Sequence, residues 1–143
     1  MFIGEYTASV DAKGRIAIPA KFRGGLNGSC VITRGLDSSL FVYTLPEWQK
    51  LAEKLAALPI SQANSRAFSR LMLAGAMDVE IDKQGRVTLP DYLRQFAGVG
   101  KTVVIAGLMN RLEIWDSEKW NQYKEQTEKE STAIAEAMGE LGV

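Results

Sequence analysis

Hydrophobic and polar positions run through the same order twice along this chain. Residues 2–10 alternate imperfectly, with Tyr6 and Val10 as the clearer apolar anchors, and predict a strand. Asp11-Ala12-Lys13-Gly14 is turn chemistry: an aspartate able to bond the backbone ahead of it, then a glycine able to take positive φ. Arg15–Ile18 predicts a short return strand, with Ile16 and Ile18 on one face and Arg15 on the other. Pro19 suits the first turn of a short helix over 20–23, which Gly24 and Gly25 should end. Strands are predicted next at 30–33 and 40–43, around a turn at 35–39. Thr44-Leu45-Pro46-Glu47 is a capping-box pattern. The helix it opens carries Trp48, Leu51, Leu55 and Leu58 at helical spacing and closes at Pro59. Ser61 is expected to cap a second helix, with Phe68, Leu71 and Met72 on its apolar side and its end near Gly75.

The second half replays this scheme. It predicts strands at 79–81 and 86–89 around a turn at 82–85, a short helix from Pro90, strands at 103–105 and 112–115, and a closing helix from Asp116 or Ser117 toward Met138. The replay extends to single residues. Asp11, Gly14, Arg15, Pro19 and Arg23 return as Asp82, Gly85, Arg86, Pro90 and Arg94, five identities at an offset of 71. After a one-residue insertion the match resumes at Gly28/Gly100 and runs through Leu40/Leu112 to Trp48/Trp120. A repeat sets the unit of architecture. A half with about four short strands buries too little apolar surface to stand alone. Two halves, 1–76 and 77–143, are therefore expected to form one compact α+β domain with pseudo-twofold symmetry. Strands of one half would complete the sheet of the other in a β-barrel, with helices outside.

Composition narrows the function. Hydrophobic content of 46% with 24% charge is ordinary for a globular domain. No apolar run approaches the ~20 residues of a membrane span, and Met1-Phe2-Ile3-Gly4-Glu5 lacks the basic start and apolar core of a signal peptide. The single Cys30 lies in an apolar run and reads as a small packed hydrophobe. The expectation is a cytoplasmic protein without membrane contact. There are no histidines, which removes Ser-His and Cys-His nucleophiles, histidine bases and nearly all transition-metal sites. A carboxylate or lysine enzyme has no support in any motif, so the reading is a non-enzyme with no cofactor or metal. Net charge is zero, but unevenly spread. Residues 1–36 carry Lys13, Arg15, Lys21, Arg23 and Arg34 against Glu5 and Asp11, net +3. Residues 113–143 carry eight acids against Lys119, Lys124 and Lys129, net −5. Such an asymmetry fits a surface that binds an anion on one side only.

The doubled Asp11-x-x-x-Arg15 and Asp82-x-x-x-Arg86 motifs give the chain a close resemblance to the MraZ family of bacterial transcriptional regulators. Met1-Phe2, Thr33-Arg34-Gly35-Leu36, Leu45-x-x-Trp48, Gly75-Ala76 and Trp115 extend it over essentially the whole length. The half-unit also resembles the swapped-hairpin motif of AbrB-like DNA-binding proteins, which would make the barrel a swapped-hairpin one. The resemblance implies a nucleoid-associated regulator that binds double-stranded DNA at short direct repeats, in the promoter upstream of the division and cell-wall gene cluster. It also implies a homo-oligomer, an octameric to dodecameric ring. Position 3, often arginine in that family, is Ile3 here.

Arg15 and Arg86 are the expected DNA contacts, because arginine offers a planar fork of donors that matches phosphate oxygens or a guanine edge. Lys13 and Lys83 add charge on the same loops. Asp11 and Asp82 would orient the guanidinium groups, and Gly14 and Gly85 would let a DNA backbone come close. The plainer alternative is a pair of stable hairpin turns with solvated arginines. Arg23 and Arg94 read as helix-end residues, and Trp48, Trp115 and Trp120 as packing. A competing function is an oligomeric protein-interaction scaffold that uses the polar helix 120–138 and binds no DNA.

Overall fold

The computed structural model describes residues 1–143. The first repeat contains β1 (Phe2–Ser9), β2 (Arg15–Ala17), α1 (Ala20–Leu26), β3 (Ser29–Arg34), β4 (Leu40–Tyr43), α2 (Leu45–Ala56) and α3 (Ala63–Ser69), the last running into a π-helical turn, Arg70–Ala74. The second contains β5 (Met77–Glu80), β6 (Arg86–Thr88), α4 (Asp91–Ala97), β7 (Thr102–Met109), β8 (Leu112–Asp116), α5 (Ser117–Lys129) and α6 (Ser131–Ala137), ending in a 3₁₀ turn, Gly139–Leu141. The chain is a mixed α+β protein with a mostly antiparallel sheet.

Strands cross between the repeats. The six-stranded sheet has the order β1-β7-β8-β4-β3-β5, so each repeat's first strand pairs with the other repeat. β1 lies antiparallel to β7, and β5 antiparallel to β3. β2 and β6 pair with each other as a separate ribbon in which Ile16 stands opposite Val87. Those two are equivalent residues, so the pseudo-twofold axis passes between them. The sheet ends at β1 and β5, which do not hydrogen-bond to each other. The closed barrel expected from the repeat is not seen.

The main core is built around that axis. Ile16, Ile18, Phe22 and Leu26 are buried, and so are their equivalents Val87, Leu89, Leu93 and Ala97. Each large aliphatic or aromatic side chain among them contributes roughly 1.5–3 kcal/mol by leaving water. Phe22 also takes edge-on contacts from Phe2 and Tyr6, at 5.6 and 5.3 Å between ring centroids. Phe2, Tyr6 and Ala8 share the inner face of β1 with Gly4, whose missing side chain makes the alternation there imperfect. Cys30 is fully buried in this core, and burial pushes its thiol up to about 12, so it is a packed hydrophobe. A second, smaller cluster (Phe41, Tyr43, Leu55 and Met72) lies beneath α2 and the π turn.

Local expectations fail where tertiary contacts override them. Gly24 and Gly25 do not end α1, which runs on to bury Leu26 before Asn27 turns left-handed at φ 56°. A Cβ on Gly25 would stand 2.8 Å from the Phe2 ring, so this glycine serves packing between α1 and β1. Thr44 does cap α2, its hydroxyl accepting from the Glu47 N–H at 3.2 Å. The reciprocal arm of the box is absent, because the Glu47 carboxylate pairs with Lys50. Ser61 caps nothing: α3 begins at Ala63 after Gln62, without a side-chain cap. Phe68 is exposed, and Met72 enters the core from the π turn. The Thr33 hydroxyl donates to the Met72 carbonyl at 2.6 Å and anchors that turn. The closing helix is broken at Glu130 into α5 and α6.

Candidate nucleic-acid interface

Two identical turns flank the β2–β6 ribbon. In the first, Asp11 Oδ1 accepts from the backbone N–H groups of Lys13 and Arg15 at 2.9 and 2.8 Å, and Oδ2 accepts from Arg15 Nε at 2.7 Å. In the second, Asp82 Oδ1 accepts from Gln84 and Arg86 N–H at 2.9 Å each, and Oδ2 from Arg86 Nε at 2.9 Å. The aspartate therefore closes the turn and orients the arginine at once. Only Nε is used, so both terminal nitrogens of each guanidinium have no partner in the protein.

The strand register decides where the arginines go. Ile16 and Val87 face the core, so Arg15, Ala17, Arg86 and Thr88 share the outer face of the ribbon. Arg15 stands opposite Thr88 and Arg86 opposite Ala17, which puts the two arginines on a cross-strand diagonal, roughly 7–8 Å apart at the backbone. Lys13 and Lys83 are exposed on the flanking turns. The two expected arginines are thus brought together on one face, with the two expected lysines exposed on the turns that flank it.

The glycines have a different reason from the expected one. Gly14 and Gly85 both adopt φ +78°, a region that penalises any Cβ. The space a Cβ would fill is already occupied by an arginine of the other repeat. A Cβ on Gly14 would lie 2.7 Å from Arg94 Cζ, and one on Gly85 would run into the Arg23 guanidinium. The open side of each glycine therefore receives Arg94 or Arg23. Backbone bonds tie the same places together: Ile18 N–H donates to Gly85 O at 2.8 Å, and Leu89 N–H to Gly14 O at 2.9 Å. Arg23 Nε also donates to the Ile18 carbonyl at 2.7 Å, and Arg94 pairs with Asp91. Helix-end residues they are, but they also position the opposite turn. The shared spacing of Gly14/Gly85 and Arg23/Arg94 was the sequence signal for this device. Arg34 is engaged elsewhere, over the Tyr92 and Phe96 rings at 5.9 Å.

The Arg15 backbone N–H, helped by the Arg15 guanidinium, holds the Asp11 carboxyl below the usual carboxylate range, and Arg86 does the same for Asp82. A lowered folded-state pKa contributes stability above the ordinary value and loses it only as pH falls through the lowered one. The chain has no histidine, the side chain whose ordinary pKa lies nearest neutrality. Binding to any anionic partner here is expected to stay flat between about pH 5.5 and 8.5 at constant ionic strength. A titration measured by fluorescence anisotropy checks this, and an inflection near pH 6–7 would assign the contact to other groups.

No group of histidine, cysteine or acidic residues is clustered to hold a metal ion, and no helix is long and apolar enough to cross a membrane.

Comparison with known proteins agrees with this two-fold organisation. The family model described as "MraZ protein, putative antitoxin-like" matches the chain twice, over residues 1–71 and 72–140. Proteins named "Transcriptional regulator MraZ" from Natranaerobius thermophilus and Acetivibrio thermocellus are each 49% identical to it, over all of both chains. One of the same name from Halothermothrix orenii is 50% identical over the same full length. The chain belongs to the MraZ family.

Proposed function

We propose that this protein regulates transcription by binding double-stranded DNA through the outer face of the β2–β6 ribbon. The observation that carries the reading is the pair Arg15 and Arg86, oriented by Asp11 and Asp82 on one exposed face with their terminal nitrogens free. A two-stranded ribbon fits a major groove of ~12 Å, and a guanidinium fork suits guanine O6/N7 or phosphate. Lys13 and Lys83 supply phosphate contacts from either flank. The name shared by the relatives supports the regulatory role and leaves an enzymatic one without support. In this reading the halves 1–76 and 77–143 act as one pseudo-symmetric unit of the swapped-hairpin kind, supported by the exchange of β1 and β5 between repeats.

The chain carries 17 basic and 17 acidic residues, so one protomer has little general attraction for DNA. An octameric to dodecameric ring that aligns ribbons of neighbouring subunits overcomes this by avidity on direct repeats. Such repeats in the promoter of the division and cell-wall gene cluster would be the target, in the cytoplasm at the nucleoid. The test compares duplexes with one repeat and with several, across a salt series. Several repeats should bind at least ~100-fold more tightly than one. The slope of log affinity against log salt should be about −3 to −4 for one engaged protomer with four cationic contacts, and steeper for more. Equal affinities or a flat salt response would refute the model. Clean assembly without DNA binding would favour the interaction-scaffold function.

A further inference from the structure

The two arginine turns share their bonding pattern but differ at three exposed positions. At the offset of 71, Ala12 corresponds to Lys83, Lys13 to Gln84 and Ala17 to Thr88, and all six residues are exposed. The backbone is the same at these places. The N–H groups of Lys13 and Gln84 each donate to the aspartate of their own turn at 2.9 Å. In the second turn the side-chain bonds run between Asp82 and the backbone or Arg86, which leaves the Gln84 amide and the Thr88 hydroxyl free.

Antiparallel pairing sorts these differences to the two ends of the ribbon. Arg15 stands opposite Thr88, so one end presents Lys13, Arg15 and Thr88. Arg86 stands opposite Ala17, so the other end presents Gln84, Arg86 and Ala17, with Lys83 beside them. The backbone is twofold and the exposed chemistry is not. A lysine ammonium is a point charge suited to phosphate, a contact that carries no sequence information. A glutamine amide pairs an acceptor with a donor, which matches adenine N6 and N7 in the major groove. Thr88 offers a hydroxyl to a base edge where Ala17 offers only a methyl group.

We infer that each protomer reads a non-palindromic element in a single orientation, with Gln84 and Thr88 as specificity-determining residues. Gln84 takes an adenine next to the contact of Arg86, and the Thr88 hydroxyl bonds a base edge next to the contact of Arg15. The inference rests on the proposed DNA contact and adds which end of the ribbon distinguishes which base. A ribbon with equal ends would read a palindrome and sit on it either way round. Unequal ends fix the direction, which an array of direct repeats requires of every protomer.

Selection of bound duplexes from a random pool by the wild-type protein gives the element. Two unlike halves are expected, one of them carrying the adenine; a palindrome would overturn the inference. Ala12→Lys/Lys13→Gln/Thr88→Ala makes the two ends alike and changes only exposed side chains, so the fold is kept. This variant should select a palindrome built from the adenine-bearing half. If it selects the wild-type element instead, the inference fails. A cycle on the selected element then isolates the amide. Exchanging its A·T pair for G·C should weaken wild-type binding at least ~5-fold, and binding by Gln84→Ala less than ~2-fold. An equal loss in both chains would take base reading away from Gln84. Failure of the underlying DNA contact looks different. It would show as a wild type that enriches no element, or as an Arg15→Ala/Arg86→Ala chain that enriches the same one.

Discussion

Arg15→Ala/Arg86→Ala is expected to abolish measurable binding to a duplex carrying several direct repeats, while leaving the oligomer mass and the unfolding curve as in the wild type. The fold should survive because the turns do not depend on the arginine side chains. Asp11 Oδ1 and Asp82 Oδ1 bond backbone N–H groups, which the substitution leaves in place. Binding should not survive. A good arginine contact to a base edge is worth about 1–3 kcal/mol, each protomer loses two of them, and several protomers engage the same DNA. The product is a loss of at least ~10³-fold. Arg15→Lys/Arg86→Lys keeps the charge without the fork, so it should retain non-specific, salt-sensitive binding and lose preference for the repeats. If the alanine variant binds like the wild type, the two motifs are structural turns and the DNA surface lies elsewhere.

The largest effect on stability is expected from Gly85→Ala. Two costs add at this position. A non-glycine residue at φ +78° is strained by roughly 1–2 kcal/mol. The new Cβ also collides with the Arg23 guanidinium, which can move aside only by giving up its bond to the Ile18 carbonyl. Together they should cost about 2–4 kcal/mol, a fall of roughly 5–15 °C in melting temperature for a domain of this size. Arg23→Ala in the same chain should relieve the collision and leave the backbone strain, so the double variant should be less destabilised than the two singles summed. Gly14→Ala should behave alike with Arg94 as its partner. Urea unfolding of the four chains of the cycle measures both terms. Strict additivity would mean that the arginine and the turn do not touch in solution.

Much of this protein was legible without coordinates, and for a definable reason. The doubled Asp-x-x-Gly-Arg turn is local chemistry: its aspartate, its glycine and its arginine interact within five residues, and the structure has both turns in that form. The alternation that puts Ile16 and Ile18 inside and Arg15 outside is equally local. So is the cap at Thr44. The repeat itself implied a shared core, because neither half has enough apolar surface to fold alone.

What residues distant in sequence do to each other was not legible. Gly24 and Gly25 look like a helix stop, but contact with Phe2 and burial of Leu26 carry α1 through them. Met72 sits on the apolar side its spacing predicts, but it does so from a π turn held by Thr33 and Arg34, 39 and 37 residues earlier than the carbonyls they bond. The barrel suggested by symmetry is an open sheet, since closure depends on whether β1 and β5 meet, and no local pattern encodes that. Above all, Gly14 and Gly85 looked like room left for DNA, and the space belongs to Arg94 and Arg23 of the opposite repeat. Short-range hydrogen bonding and side-chain periodicity are written along the chain. Which surfaces fill one another across the pseudo-twofold axis is settled only when both halves pack, because the energy of that fit belongs to the pair.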